Sequence, residues 1–264
     1  MKWRGRSWED LRPRVITSAV LTTVGVVVVY AGGTLFALAA AVAVAVMLWE
    51  LSTMLAPSKG SEALQIALLG AAALLLARFL PPIFTLPLLA APAIVGASLL
   101  KKHIAIFLGF GFATLVFGHG MVWAREVHGL VWLLWLIFTI VATDVAGYFG
   151  GRSLGGPKFW PAVSPKKTWS GVVCGWIAAA LVSLIFLRIT DAGRDLIWIS
   201  VLLSFASQLG DIAESAVKRK MNVKDSSNLL PGHGGLLDRF DGLMGGALFM
   251  LLVAQIVDVP DLIL

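Results

Sequence analysis

The chain has 264 residues, 58% of them hydrophobic and 14% charged, with a formal net charge of +6 and a mean hydropathy of +0.88. A soluble domain of this length cannot bury so much apolar surface, so composition excludes a soluble globular protein and predicts an all-α polytopic membrane protein. The single cysteine, Cys174, excludes an intrachain disulfide and a cysteine metal cluster, and reads as a packed small hydrophobe.

Residues 1–14, MKWRGRSWEDLRPR, form a basic arm in which Lys2, Arg4, Arg6, Arg12 and Arg14 flank Trp3 and Trp8. Amphipathic rings among cations suit the headgroup layer. No small-residue cleavage site follows, so the arm reads as uncleaved and cytoplasmic. Apolar windows of about twenty residues then predict nine transmembrane helices near 15–31, 33–55, 62–80, 82–100, 103–123, 129–149, 170–188, 196–217 and 242–258. Turn and charge signals separate them at Gly32-Gly33, Pro57 to Gly60, Pro81-Pro82, Lys101-Lys102 and Arg125 to Gly129. Pro87 and Pro92 mark the fourth window as a place where a helix can break.

With the amino terminus inside, 17 of the 21 Lys/Arg fall on cytoplasmic segments and only Arg78, Arg125, Arg188 and Arg194 fall outside. That split obeys the positive-inside rule and puts the carboxyl terminus outside. The net positive charge is then a matter of topology and anionic lipid headgroups, with no nucleic-acid partner implied.

Residues 15–140 read as a transmembrane scaffold of Ala/Val/Leu runs, in which Glu50 and His119 are taken as interfacial or interhelical polar contacts. Residues 141–264 read as a transmembrane catalytic region with polar loops at 150–169 and 218–241. Its first polar feature is Asp144. An aspartate within a span costs roughly 2.5 to 3.5 kcal/mol, so it is expected to face the bundle interior beside a donor or cation, with Tyr148 on the same helix face. Next comes the loop VSPKKTWSG, where Lys166 and Lys167 sit between the hydroxyls of Ser164 and Thr168. Such a loop can wrap a polyphosphate, although it lacks the P-loop pattern.

The third feature spans Gly210 to Asp241. Asp211, Glu214, Ser215 and Lys218 follow helical spacing and share one face, and Asp211 is placed about 10 Å inside the helix end at 1.5 Å per residue. The following loop adds Arg219, Lys220, Lys224, Asp225, His233, Asp238, Arg239 and Asp241, with PGHGG at 231–235 allowing a tight turn. That turn is expected to return Asp238 and Asp241 toward Asp211. The result is an oxygen-rich set suited to Mg²⁺, which takes few carboxylates and leaves room for phosphate oxygens. Carboxylates with surrounding cations suffice for phosphoryl or nucleotidyl transfer, where positioning and charge neutralisation do most of the catalysis.

The run Ser215-x-x-Lys218-Arg219, Lys224-Asp225, Pro231-Gly232-His233-Gly234-Gly235 and Asp238-Arg239-Phe240-Asp241 resembles the signature of the phosphatidate cytidylyltransferases, the CDP-diacylglycerol synthases. Gly210-Asp211-x-x-Glu214, the loop Ser164-Pro165-Lys166-Lys167-Thr168-Trp169 and the segment from Asp144 to Arg152 resemble that family in the same order. The chain departs from the family pattern at Ser170, where a glutamate is usual before the glycine, and at Val145-Ala146-Gly147 before Tyr148.

The resemblance implies transfer of CMP from CTP to phosphatidate, giving CDP-diacylglycerol and pyrophosphate, with Mg²⁺ required and a monovalent cation such as K⁺ assisting. It also implies a homodimer in a bacterial-type inner membrane, with the active site on the cytoplasmic side. Carried onto these positions, Asp211, Lys218, His233, Asp238 and Arg239 are the catalytic candidates. Asp211 and Asp238, with Asp241 third, are the metal candidates. Asp144, Ser164, Lys166, Lys167, Thr168, Glu214, Ser215, Arg219, Lys224, Asp225, Gly234 and Gly235 are the substrate-binding candidates. Two rival readings are a related transferase acting on another lipid acceptor and a cation-coupled transporter, the latter suggested by acids at membrane depth.

Overall fold

Backbone polar groups in lipid must be satisfied within the chain, which is why the apolar windows become helices. The computed structural model describes residues 8–254 and Leu262, with side chains from residue 15 onward. Residues 1–7 of the arm, the side chains of 8–14 and the stretch 255–258 of the last expected span lie outside the described residues. Nine helices are present among the described residues: α1 (Trp8–Ala31), α2 (Gly33–Leu55), α3 (Gly60–Ala77), α4 (Pro82–Leu100), α5 (Ile104–Val127), α6 (Gly129–Leu154), α7 (Trp169–Ile189), α8 (Asp195–Lys220) and α9 (Leu237–Val253). Seven of them, α2 to α8, are long and apolar enough to cross a membrane, with lengths of 18 to 26 residues. α9, with 17 residues, begins five residues earlier than its apolar window and so takes Asp238 and Asp241 into its first turns.

Two local expectations are corrected. α4 runs unbroken through Pro87 and Pro92, since neighbouring helices can accommodate the backbone groups that proline frees. α6 continues to Leu154, so Asp144 lies nearly three turns from its end at 3.6 residues per turn. The lysine loop is also more ordered than an irregular connection. β1 (Lys158–Trp160) and β2 (Ser164–Thr168) form an antiparallel pair in which Lys158 faces Thr168 and Trp160 faces Ser164. Phe159 packs edge-on against Trp169 at 4.7 Å, and the Trp169 amide donates to the Pro157 carbonyl at 3.0 Å. Strands of three and five residues are too short for periodicity to reveal.

The scaffold helices α2 to α5 enclose fully buried Leu48, Leu51, Ile66, Leu74, Leu89, Leu100, Phe107 and Leu115. In the second half, helices approach through glycine. A Cβ on Gly210 of α8 would lie 2.4 Å from the Asp241 carbonyl oxygen, and one on Gly245 of α9 would lie 2.8 Å from Gly210 Cα. Small residues at such crossings let backbones touch, the usual basis of helix association in lipid. Polar ties reinforce α6 against α8. Trp135 Nε1 donates to Ser200 Oγ at 2.9 Å, and Thr143 Oγ1 donates to Ser204 Oγ at 2.8 Å.

Candidate active site

Two polar assemblies meet at the end of the bundle that carries the loops. The first is a carboxylate cluster built by α6, α8 and α9. The Gly210–Gly245 contact seats the first turns of α9 against α8, bringing Asp241 to Asp211. Asp144 approaches from α6, and its Oδ2 would lie 3.8 Å from a Cβ on Gly242. Ser207 Oγ would lie 3.4 Å from the same point, so the missing side chain leaves an oxygen-lined cradle beneath the acids. Asp144 and Asp241 each experience repulsion from the Asp211 carboxylate. Burial first, and then the Asp211 and Asp144 charges, push Asp241 above the ordinary carboxylate range.

Lys167 is the cation delivered to this cluster. Thr168 is buried and caps α7, its Oγ1 accepting from the Gly171 amide at 3.2 Å. That cap anchors the end of β2, and Lys167 Nζ reaches Asp211 Oδ2 at 2.5 Å while donating to the Gln208 carbonyl at 3.2 Å. Asp211 Oδ1 accepts from Ser215 Oγ at 3.3 Å, confirming that these two residues share a helix face. Asp144 is turned from α6 toward α8 and α9, with Lys167 and Arg239 as the nearby cations, and it remains accessible to solvent. Tyr148, also exposed, accepts from Arg152 Nη1 at 2.9 Å.

The second assembly holds the loop between α8 and α9. Lys218 is buried, with its ammonium between Glu214, which is fully buried, and Asp238 Oδ1 at 2.6 Å. Asp238 Oδ2 accepts from the Ser226 amide at 2.8 Å, Ser226 Oγ at 2.9 Å and the Gly235 amide at 2.8 Å. Burial opposes ionisation of Asp238, but Lys218 and the Gly235 and Ser226 amides outweigh it and hold the carboxyl at about 2. Both oxygens of Asp238 are thus engaged by the chain's own donors. The glycine turn separates the two acids expected to act together: Asp241 joins Asp211, and Asp238 joins Lys218.

Within the turn, Gly232 and Gly234 have φ of 75° and 83°, a region favouring glycine. A Cβ on Gly235 would meet Ser226 Oγ at 2.0 Å. Arg239 Nη2 donates to the His233 carbonyl at 2.8 Å, and His233 Nε2 lies 3.0 Å from Ser18 Oγ on α1. Lys166, Arg219, Lys224 and Asp225 are exposed, while Ser164 is half-buried at the hairpin pair with Trp160. Beside this loop, a cavity of about 460 Å³ is lined by Thr53, Met54, Pro57 and residues 223–228, including Lys224 and Asp225.

Sequence reasoning missed Ser226, Ser227, Gln208 and the role of Glu50. Glu50 Oε1 accepts from Ser227 Oγ at 2.6 Å and the Leu236 amide at 2.9 Å, and Oε2 from the Leu237 amide at 2.7 Å and Ser226 Oγ at 3.4 Å. The only sequence signal was an acid inside an apolar window, which does not name its partners. Among the described residues, no three carboxylate, imidazole or thiol side chains already converge as ligands of one ion. Mg²⁺ takes only one or two carboxylates alongside water and substrate oxygens, so one or two of the mutually repelling Asp144, Asp211 and Asp241 would suffice for such an ion, whereas both oxygens of Asp238 already accept from the chain's own donors.

Residues 12–257 match the family described as the cytidylyltransferase family. A phosphatidate cytidylyltransferase of Brucella suis biovar 1 (strain 1330) is 44% identical over 154 residues, covering 58% of this chain and 50% of that protein. The Bacillus subtilis (strain 168) protein of the same name is 40% identical over 145 residues, covering 53% and 52%. That of Haemophilus influenzae (strain ATCC 51907 / DSM 11121 / KW20 / Rd) is 39% identical over 168 residues, covering 58% of each. The similarity thus spans about half the length of these relatives.

Proposed function

Because the chain belongs to the cytidylyltransferase family, we propose that it transfers CMP from CTP to phosphatidate, forming CDP-diacylglycerol and releasing pyrophosphate. The observation that carries this reading is the junction of Lys167 with Asp211 beside Asp241 and Asp144, where three helices and a hairpin bring one cation to clustered acids. An oxygen of the phosphatidate headgroup attacks the α-phosphorus of CTP, and the bond to the departing pyrophosphate breaks with its electron pair leaving on pyrophosphate. The barrier lies in bringing anions together and in charge building on the leaving group.

Lys167, Lys166, Arg219, Lys224 and Arg239 supply the cations that offset this charge. His233, its carbonyl held by Arg239, orients a phosphate oxygen. Asp211 and Asp241, with Asp144 beside them, would hold Mg²⁺, which when bound draws phosphate oxygens together and neutralises them. The charges at 214–239 divide accordingly: Lys218, Glu214 and Asp238 hold the framework, and the exposed cations meet the substrate. The 460 Å³ cavity at Lys224 and Asp225 is of the size that binds small ligands and suits a nucleoside.

The location suits both substrates, since the acyl chains of phosphatidate stay in the bilayer while its headgroup and CTP meet at the edge. Positive-inside placement of 17 of 21 basic residues supports a cytoplasmic position for that edge. Incubating the purified protein with radiolabelled CTP and phosphatidate tests the proposal. A CDP-lipid and pyrophosphate are expected in equal amounts. Transfer to a different lipid, or no CTP consumption with Mg²⁺ present, overturns it.

A further inference from the structure

Glu50 belongs to the scaffold half of the chain, on the second-last turn of α2, and is fully buried. A carboxylate removed from water is costly unless donors replace its hydration. All four hydrogen-bond donors recorded for its oxygens come from residues 226–237: two serine hydroxyls and two backbone amides. A simple interhelical tie would instead join two spans. Glu50 reaches the amides that open α9, a helix starting at leucine with no side-chain cap of its own. Unsatisfied amides at a helix start need an acceptor, and here it comes from a residue 186 positions away.

The same segment is gripped from its other side. Asp238 takes the amide and hydroxyl of Ser226 and the Gly235 amide, so Ser226 lies between two carboxylates. A Cβ on Gly235 would lie 2.6 Å from Glu50 Oε1, so the close approach of the carboxylate depends on glycine there. Arg239 and Asp241 follow in the next turns of α9. Where α9 begins, and how it is rotated, sets where both side chains sit relative to Asp211.

We propose that Glu50 is a positioning residue for the transferase reaction: by capping α9 and clamping residues 226–237, it places Asp241 and Arg239 at the Asp211 cluster. This rests on the reading under Proposed function. Glu50→Gln keeps the shape but replaces one acceptor oxygen by a donor, opposing two of the four contacts. Glu50→Asp keeps both acceptors on a shorter stem, and Ser227→Ala removes one donor.

The wild type and these three variants, purified in detergent, are compared by CMP transfer to phosphatidate and by amide hydrogen exchange without substrate. Misplacement near 1 Å costs on the order of 10²-fold in rate. For Glu50→Gln, kcat should therefore fall by about 10- to 100-fold with KM for CTP changed less than about threefold. Exchange should accelerate at 226–241 and stay unchanged in α2 to α5, with Glu50→Asp recovering part of both losses. Wild-type kcat and exchange in Glu50→Gln overturn the proposal, as does acceleration spread evenly over all helices. If Glu50→Gln does not fold, Ser227→Ala decides: faster exchange confined to 226–241 supports the clamp, and unchanged exchange overturns it. A wild type inactive on phosphatidate defeats the functional reading alone, since exchange still tests the clamp.

Discussion

Replacing Gly245 by alanine tests whether backbone contact between α8 and α9 sets the spacing of the clustered acids. The added Cβ would lie 2.5 Å from the Ala206 carbonyl oxygen, 2.8 Å from Gly210 Cα and 2.9 Å from Gly210 N. All three are backbone atoms, so no rotamer change relieves the overlap. Carbon atoms pack best at about 3.5–4.0 Å, and α9 must therefore retreat by about 1 Å. Overpacking costs about 1–3 kcal/mol, and the gain in helix propensity returns about 1 kcal/mol, leaving a net loss of about 0–2 kcal/mol. Asp241 lies one turn earlier on the same helix, and a shift of that size between reacting groups costs on the order of 10²-fold in rate. Activity should thus fall far more than stability. Steady-state CMP transfer and thermal unfolding in detergent measure the two, with Gly109→Ala as control because, among the described residues, nothing beyond its own stretch of helix backbone lies within 4 Å of its added Cβ. Wild-type kcat in Gly245→Ala would refute the reasoning, as would an equal loss in Gly109→Ala.

Lys218→Met should lower the unfolding midpoint sharply, because it strands Glu214 and Asp238 without their cation and breaking a buried pair costs about 3–5 kcal/mol; calorimetry in detergent reads this directly. Asp211→Asn and Asp241→Asn should keep wild-type melting behaviour yet lose at least about 100-fold in Mg²⁺-dependent transfer, whereas Asp238→Asn should lose stability first. Lys167→Ala should raise KM for CTP by roughly 10- to 100-fold, the order expected for a charge-assisted contact of about 1.5–3 kcal/mol, as initial rates at varied CTP will show. Chelation should abolish transfer without lowering the midpoint, since the loop's hydrogen bonds are supplied by the chain itself, and added Mg²⁺ should restore it.

The chain's helices were legible because lipid imposes a one-dimensional rule: apolar residues must continue for a fixed length, with turns and charges at the ends. The window at 33–55 coincides with α2 and that at 82–100 with α4. The hydroxyl and cations of VSPKKTWSG were visible too, but the hairpin that aims Lys167 was not, since it rests on a Phe159–Trp169 contact and two very short strands. Ser215 beside Asp211 was readable as helical spacing of four. The partner of Asp238 was not, because a turn through positive-φ glycines decides which way each acid leaves the loop.

By itself the sequence determined a membrane-embedded helical protein with its polar residues gathered in two loops, because hydropathy and charge act locally along the chain. Tertiary structure alone decided which charges are spent on holding the fold and which stay exposed. Asp238 and Asp241 stand three residues apart, yet one is engaged by Lys218 and loop amides while the other meets Asp211. Glu50, indistinguishable in sequence from an ordinary interhelical acid, proved to grip a loop more than 170 positions away. Such choices follow from where glycines let helices touch, and that contact exists only once the chain has folded.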